Sequence, residues 1–595
     1  MDRQAWIAVT LCVLGLVGWQ VYMMRTAPRV PTPAVASASA SPTPEAASPA
    51  AVATPVGPPT STSAPSATVA AEPTPAAYEE RVEVLANPDL ELRLTNKGGG
   101  IREARLLHHA GEGGKGEVVL NTADLLPIGA LVEQPSTSAM PEFTFTREAD
   151  GSVVGERKTP EGVTVRKRFS FPTATGPKDN YVLEMQVDFR NDGAQPYTNP
   201  GYFVALGSTI PIHPSDLPNY TRVVWFLDGK PKAKDVNWFA AQKYPVLGIE
   251  RRAEQKVFQE KVNGASWGAM SNQFFATIVT PLNGPATEIW ARPFEVPHPN
   301  SPPLRGMEGA MGMPGFVLQP GETNTQRFQI YAGPKIYAQL AKFEHGEAAI
   351  MDFGMFKIVC QALLNFMNLL HRFVGNYGVA IVLMTVCVKA VLWPLQSKAN
   401  KSMRKMSALS PKMQALKEKY KDDPTKMNTE VMKLYKEHGV NPVGGCLPML
   451  IQFPIFIGLF TMLRQVAELR NESFLWVKDL SQPDTLFTIP GLGFIPVLGT
   501  PAGLTVNLLP ILMGATQFWL MRMTPNTGDA MQRRVMMFMP LIFLVFCYNF
   551  AAALALYYTT QNLLSILQYW YNQKQPAPVL TPVVPERKRS GKGKK

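Results

Sequence analysis

Apolar residues fall into distinct regimes along the chain. Ala5 to Met24 is an uncharged run of 20 residues, enough for a helix to cross about 30 Å of hydrocarbon. Trp6, Trp19 and Tyr22 lie towards its ends, where amphipathic rings favour the headgroup level. The run is longer than a signal-peptide core, and Arg25 and Arg29 precede the small-residue site Ala36-Ser37-Ala38. Residues 1–26 are therefore expected to form an uncleaved signal-anchor helix. Residues 27–78 are Ala, Pro, Ser, Thr and Val with only Arg29, Glu45 and Glu72 charged. That composition buries too little to offset chain entropy, so a disordered, extended tether is expected. From 79 to 336 the period becomes two, as in Leu90–Leu94, Val163–Phe171 and Tyr181–Phe189 followed by the turn signal Asn191-Asp192-Gly193. Strand runs separated by Gly, Pro and Asn clusters predict a large antiparallel sandwich.

Residues 337–373 lead into the membrane. Over 353–373, Lys357, Gln361, Asn365, Asn368 and Arg372 recur every three or four residues, which predicts an amphipathic helix lying in the interface. A membrane core over 374–571 follows, with five expected spans near 377–396, 446–463, 503–521, 535–550 and 553–571 and a tight turn near Asn549–Ala553. The fold class expected is thus multi-domain: an all-β sandwich plus an α-helical core of five transmembrane helices after the anchor.

Charge orients this arrangement. The whole chain has 595 residues, a net charge of +12 and 46% hydrophobic content, which excludes a disordered chain. Residues 398–438 hold 11 Lys/Arg against 5 Asp/Glu, and the tail 572–595 holds seven against one. The 464–502 loop is not basic, with three against four. By the positive-inside rule the 398–438 loop and both termini are cytoplasmic, and residues 27–373 are periplasmic. Within 398–438, Met403, Met406, Leu409 and Met413 recur to Leu416, and Val431, Leu434 and Tyr435 follow Asp422-Asp423-Pro424. This predicts a basic helical hairpin at the membrane surface, attracted in part by anionic lipid. Five cysteines, none between residues 13 and 359, make no disulfide framework. His108-His109, His213 and His298 lack ligand-like spacing, so no metal site and no cofactor are expected.

Candidate chemistry lies inside the spans. Lys389 is a cation about 13 Å of helix from Lys398, beyond the reach of a lysine side chain, so it faces a wet cavity or a partner, or else snorkels towards the level of Trp393; Thr385 lies one turn earlier on the same face. Gln452, Gln517, Tyr558, Gln561, Asn562 and Ser565 add polar groups on other spans, and no intramembrane carboxylate accompanies them. A coupled transporter would carry such a carboxylate, and a hydrolase would carry a nucleophile with its base. A mildly polar groove with one cation suits another task, solvating the polar part of a chain that crosses the bilayer, where each unsatisfied backbone group costs several kcal/mol. Solute transport or a channel, and an envelope scaffold acting through the sandwich, are the alternative readings.

Asn441-Pro-Val-Gly-Gly-Cys-Leu-Pro448 and Ile451-Gln-Phe-Pro-Ile-Phe456 resemble the third-helix signature of the YidC-type membrane protein insertases. Phe474-Leu-Trp476 with Asp479-Leu480, Met539-Pro540, and Leu556-Tyr557-Tyr558 with Gln561-Asn562 also match that family. The resemblance covers essentially the whole chain and is tightest over 374–571. It implies insertion and chaperoning of proteins in the bacterial inner membrane, without enzyme chemistry, alone or with the Sec translocon. It further implies a hydrophilic groove with a basic residue, here Lys389, and Thr385, Gln452, Trp476 and Tyr558 match positions used in and around it; the intramembrane polar residues Gln517 and Asn562 are added to that groove, with Pro448 and Pro454 in supporting positions. Lys389 stands where most members carry arginine, and Ala551-Ala-Ala553 stands where Pro-Ser-Gly is usual. The long periplasmic domain resembles the Gram-negative branch, whose domain is a sugar-mutarotase-like sandwich. Implied partners are nascent membrane proteins, the Sec translocon, membrane lipids and, through Arg587-Lys-Arg589 and Lys592–Lys595, ribosomal RNA or anionic lipid; no DNA partner is implied.

Overall fold

A computed structural model describes residues 78–574, apart from 124, 136–139, 173–179, 244–249, 300–301, 441–446, 494–497, 501–502 and 525–529. The expected anchor helix, nearly all of the tether, the tail from 575 onward and Asn441–Cys446 lie outside the described residues. Contacts divide the chain into two units, one being residues 1–79 with 136–141. Within that unit Tyr78 donates its hydroxyl to the Met140 carbonyl at 2.8 Å. The other unit is residues 80–135 with 142–595.

Two antiparallel sheets face each other over residues 131–334. The larger has nine strands in the order Lys230–Asp235, Arg222–Leu227, Trp267–Ser271, Phe275–Pro281, Thr323–Pro334, Val182–Asn191, Val163–Ser170, Val153–Lys158 and Thr144–Arg147. The second has five, in the order Phe258–Ala265, Ala286–Val296, Leu304–Leu318, Tyr197–Thr209 and Leu131–Val132. A four-stranded sheet over Val82–Leu120 precedes them. Period two holds where it is expected. Val163, Val165 and Phe169 point inward and pair with Asn191, Phe189 and Met185. The sheets approach closely enough that a Cβ on Gly309 would come within 2.7 Å of the Met270 sulfur. Burying side chains such as Trp225, Trp267, Phe169 and Phe274 contributes about 1.5–3 kcal/mol each. Lys167 also occupies an inward position. Burial lowers its pKa well below the ordinary lysine value, and its ammonium donates to the carbonyls of Gly99 at 2.6 Å and Gly129 at 2.7 Å.

Among the described residues beyond the sandwich, eight helices follow the short helical turns at Tyr337–Leu340, Glu347–Ile350 and Gly354–Phe356, with a three-stranded sheet between two of them. Helix α1 (Lys357–Val374) buries Cys360, Leu363, Leu364 and Met367, while Lys357, Asn365 and Arg372 are exposed beside Ile358 and Phe373. It ends at Gly375, whose φ of 66° places it in the left-handed region and lets its N–H reach the His371 carbonyl at 2.8 Å. Helix α2 (Tyr377–Ala408) starts at Asn376, whose side chain accepts from the Val379 N–H. Its 32 residues include the apolar run that, among the described residues, is long enough to cross a membrane by length and composition. Shorter apolar runs are Gln452–Leu463 and Met537–Cys547.

Two expectations change in detail. The hairpin's first arm is not continuous to Leu416. α2 stops at Ala408, and α3 (Ser410–Lys419) begins with Pro411 in its first turn, where the missing N–H is tolerated. The second arm is α4 (Pro424–Glu437), with Asp423 accepting from the Lys426 N–H. The helix expected from 503 starts at 508. Gly503–Asn507 is instead a strand between Thr485–Ile489 and Gly499–Thr500, and its β-branched Thr505 and Val506 suit that pairing. The remaining helices are α5 (Leu447–Leu463), α6 (Leu508–Met523), α7 (Ala530–Cys547) and α8 (Ala552–Gln573).

The segment between α5 and α6 braces the helix ends. Asn376 donates to the Ser473 carbonyl at 2.9 Å, and Asp484 accepts from the Leu509 N–H at 2.6 Å. The N–H groups of Ala552 and Ala553 reach the carbonyls of Gln482 and Leu480 at 2.8 and 3.0 Å. Backbone carbonyls therefore satisfy the first N–H groups of α8. A capping side chain at Ala551-Ala-Ala553 is not needed.

Candidate functional site: a cavity among the core helices

A cavity of about 280 Å³ lies between α5, α6, α7 and α8, lined by Gln452, Phe453, Phe456, Gln517, Met539, Pro540, Phe543 and Tyr558. Its wall is mostly apolar, with two carboxamides and one phenol as polar groups. Phe456 and Phe543 hold the Tyr558 ring edge-on, with ring centroids 5.4 and 5.5 Å away. The Tyr558 hydroxyl is buried and has no hydrogen-bond partner among the described residues. A buried polar atom left in this state costs about 1–3 kcal/mol. Gln452 donates weakly to the neighbouring Tyr557 hydroxyl at 3.4 Å, which leaves its carbonyl oxygen for another donor.

Lys389 is not among the cavity-lining residues. It is buried, and its ammonium donates to Gln396 Oε1 at 2.5 Å and to Ser565 Oγ at 2.8 Å. Ser565 lies seven residues beyond Tyr558, about 10 Å along α8. Cation and cavity therefore occupy successive levels of the same helix. Thr385 is fully buried and donates to the Ile381 carbonyl of its own helix at 2.7 Å. Asn562 joins α8 to α6, donating to the Met513 carbonyl at 3.3 Å and to Thr516 Oγ1 at 3.2 Å.

Among the supporting positions, Pro454 lies within α5 and is half-buried, between the cavity residues Gln452 and Phe456. Pro448 lies in the first turn of α5, and its side chain is outside the described residues. Trp476 sits away from the cavity, on the segment that braces the helix ends, with Nε1 donating to Asp484 Oδ2 at 3.1 Å. Three of the six groove candidates, Gln452, Gln517 and Tyr558, thus come together in one cavity. The apolar lining from α7 and the Gln396 partner of Lys389 were not singled out in the sequence as site residues. Gln396 had a signal, since a residue seven positions on returns to the same helix face.

A β-rich domain joined to a bundle of apolar helices that line a partly polar cavity suits a membrane protein with a large extramembrane part. Residues 82–366 match the family model of the YidC periplasmic domain, and residues 369–578 match that of the 60Kd inner membrane protein. The membrane protein insertase YidC of Syntrophus aciditrophicus is 30% identical over 589 residues, 97% of this chain and 100% of that one. Its counterpart in Pelobacter propionicus is 33% identical over 423 residues, 70% of each chain. A crystal structure of an active YidC insertase with its first transmembrane domain resolved is 20% identical, covers 83% of this chain and 93% of its own, and gives a TM-score of 0.33. The chain belongs to the YidC family of membrane protein insertases and is an inner membrane protein.

Proposed function

We propose that this chain receives the polar segment of a nascent membrane protein in the cavity between α5 and α8, and releases its apolar segment sideways into lipid. The observation that carries this reading is one cavity lined by Gln452, Gln517 and Tyr558, whose hydroxyl is buried without a partner among the described residues. These groups complement peptide N–H and C=O groups, whose exposure to hydrocarbon is what opposes crossing. Lys389, held one level further along α8, draws acidic residues of the arriving segment. No covalent step and no cofactor are needed.

In this reading α2, α5, α6, α7 and α8 span the membrane, following a signal anchor at 1–26 and a tether at 27–78. The sandwich at 79–336 and α1 lie on the periplasmic side, and both termini lie in the cytoplasm. Loop charge supports that orientation. The α3–α4 hairpin takes up arriving chains, the Sec translocon is a partner for larger substrates, and the tail at 572–595 touches ribosomal RNA or anionic lipid.

The test uses the full chain in sealed liposomes, supplied with a single-span substrate whose translocated segment is acidic. Protease protection of that segment is scored for wild type, Tyr558→Phe, Lys389→Ala and Lys389→Arg. Loss with Tyr558→Phe and with Lys389→Ala, but not with Lys389→Arg, supports the two-level site. Equal protection in all four removes both residues from the mechanism.

A further inference from the structure

The segment between α5 and α6 carries a feature that substrate handling in the cavity does not use. Phe474 and Val477 exchange both backbone hydrogen bonds, each at 2.9 Å, which makes Leu475-Trp476 the tip of a two-residue turn. Leu475 has a φ of 54°, in the left-handed region that bulky side chains avoid and glycine accepts. Its side chain is 76% exposed and that of Trp476 is 38% exposed. A strained backbone that displays a large apolar side chain to solvent gains nothing in packing, so its use lies outside the folded chain.

Three contacts fix the height of this tip. Asn376, the residue that caps α2, donates to the Ser473 carbonyl at 2.9 Å. The Phe474 ring packs so tightly on Gly378, in the first turn of α2, that a Cβ there would clash with it. Trp476 donates to Asp484, which also accepts from the Leu509 N–H at the start of α6. The tip is therefore tied to the first turns of two core helices, at the end where both begin. Lys478, two residues on, is exposed, and the nearby strand exposes Leu486, Phe487 and Ile489.

We propose that the Leu475-Trp476 turn is a lipid wedge: Leu475 enters the acyl region of the leaflet at this end of the spans. Trp476 then lies at the glycerol level, and Lys478 lies among the phosphates. This rests on the reading that α2 and α6 cross the membrane. Trp at the headgroup level and a cation just outside it match the layered chemistry of a bilayer surface. Two side chains on a rigid turn are too small an area for a stable protein interface, which needs about 800 Å² from each partner. Lipid is therefore the occupant that the tip fits.

The test replaces Leu475 with a genetically encoded dansylalanine in the full chain, reconstituted in phosphatidylglycerol-containing vesicles. The same probe is placed separately at Val391, 76% exposed on α2, and at Asp228, exposed on the sandwich. Strong quenching by lipids spin-labelled near the headgroup at position 475, with iodide quenching reduced several-fold relative to Asp228, is the expected result. If Val391 is quenched by lipid and position 475 stays open to iodide, the wedge is wrong and the spans stand. If neither is quenched by lipid, the reading of α2 as a span fails, and the wedge fails with it. A second measurement uses Leu475→Gly, which suits a φ of 54°. The wedge expects a melting temperature in detergent equal to or above wild type, and a fall of several degrees would show that Leu475 packs within the protein and overturn it.

Discussion

Lys389 on α2 donates to the Ser565 hydroxyl of α8 at 2.8 Å, so the buried cation leans on a second helix. Gln396 supplies its other acceptor from the same helix. The arrangement holds a charge ready in the core without a carboxylate that would neutralise it. Lys389→Ala leaves both acceptors without a donor and is expected to lower the initial rate of insertion about tenfold. That corresponds to roughly 1.5 kcal/mol, the lower end for a hydrogen bond to a charged group. Lys389→Arg retains charge and donors and is expected to stay within about threefold of wild type. Protease-protection time courses in proteoliposomes measure both.

Tyr558→Phe separates function from folding by sign. The hydroxyl has no partner among the described residues, so its removal relieves a desolvation penalty. The variant is expected to be as stable as wild type or more stable by about 1 kcal/mol. Its insertion rate is expected to fall several-fold, because the group that meets the substrate backbone is gone. Thermal unfolding in detergent and the insertion assay, run on one preparation, check the two signs. A variant that loses stability and activity together would mean that Tyr558 is a packing residue only.

The division between what the chain's pattern revealed and what it did not follows from physics. Period-two alternation marks strands because one face is buried, so Val163, Val165 and Phe169 were legible as a core face. Lys167 shares that face, and only the three-dimensional approach of the Gly98–Gly99 and Gly129 carbonyls explains it. Intramembrane polar residues were legible individually because each is expensive in lipid. How they are shared out was not legible, since helix rotation is set by packing. Gln452, Gln517 and Tyr558 meet, whereas Asn562 is taken up by Met513 and Thr516. The strand at Gly503–Asn507 was hidden because an apolar run that continues into a helix has no marker of its own beyond Gly503.

Glu468 introduces a pH dependence. It lies between α5 and α6, where burial raises its pKa from 4.5 to about 7. Asn368 donates to one of its oxygens at 3.4 Å, while its other oxygen and the Asn368 carbonyl are both buried without partners. A proton on Glu468 would satisfy that pair. The folded state thus holds the proton more tightly than the unfolded chain does. Stability from this group is complete below about pH 4.5, falls as pH rises towards 7, and is absent above. The loss amounts to at most about 3 kcal/mol. Glu468→Gln is expected to flatten that slope and to melt higher than wild type at pH 8. Melting temperatures from pH 5 to pH 8 provide the check.

Arg470 is one of the buried side chains joining the sandwich to the helical core. It is buried, its guanidinium lies 5.4 and 5.1 Å from the ring centroids of Phe274 and Phe275, and it donates to the Ala110 carbonyl at 3.2 Å. The same boundary is crossed by a continuous buried apolar cluster that includes Phe274, Ile350, Met351 and Cys360, and by hydrogen bonds such as Gln273 to the Arg464 carbonyl at 2.8 Å and Ser215 to Gln482 at 2.8 Å. A cation stacked on aromatic faces in a buried contact, worth about 2 kcal/mol when desolvated, adds to this coupling. Arg470→Ala is expected to split thermal unfolding into two transitions, one for the sandwich and one for the helices, and to speed proteolysis between them. Arg470→Lys keeps the charge but loses the planar stacking surface, and should fall between the two. A single unchanged transition in Arg470→Ala would transfer the coupling to the apolar cluster and the hydrogen bonds.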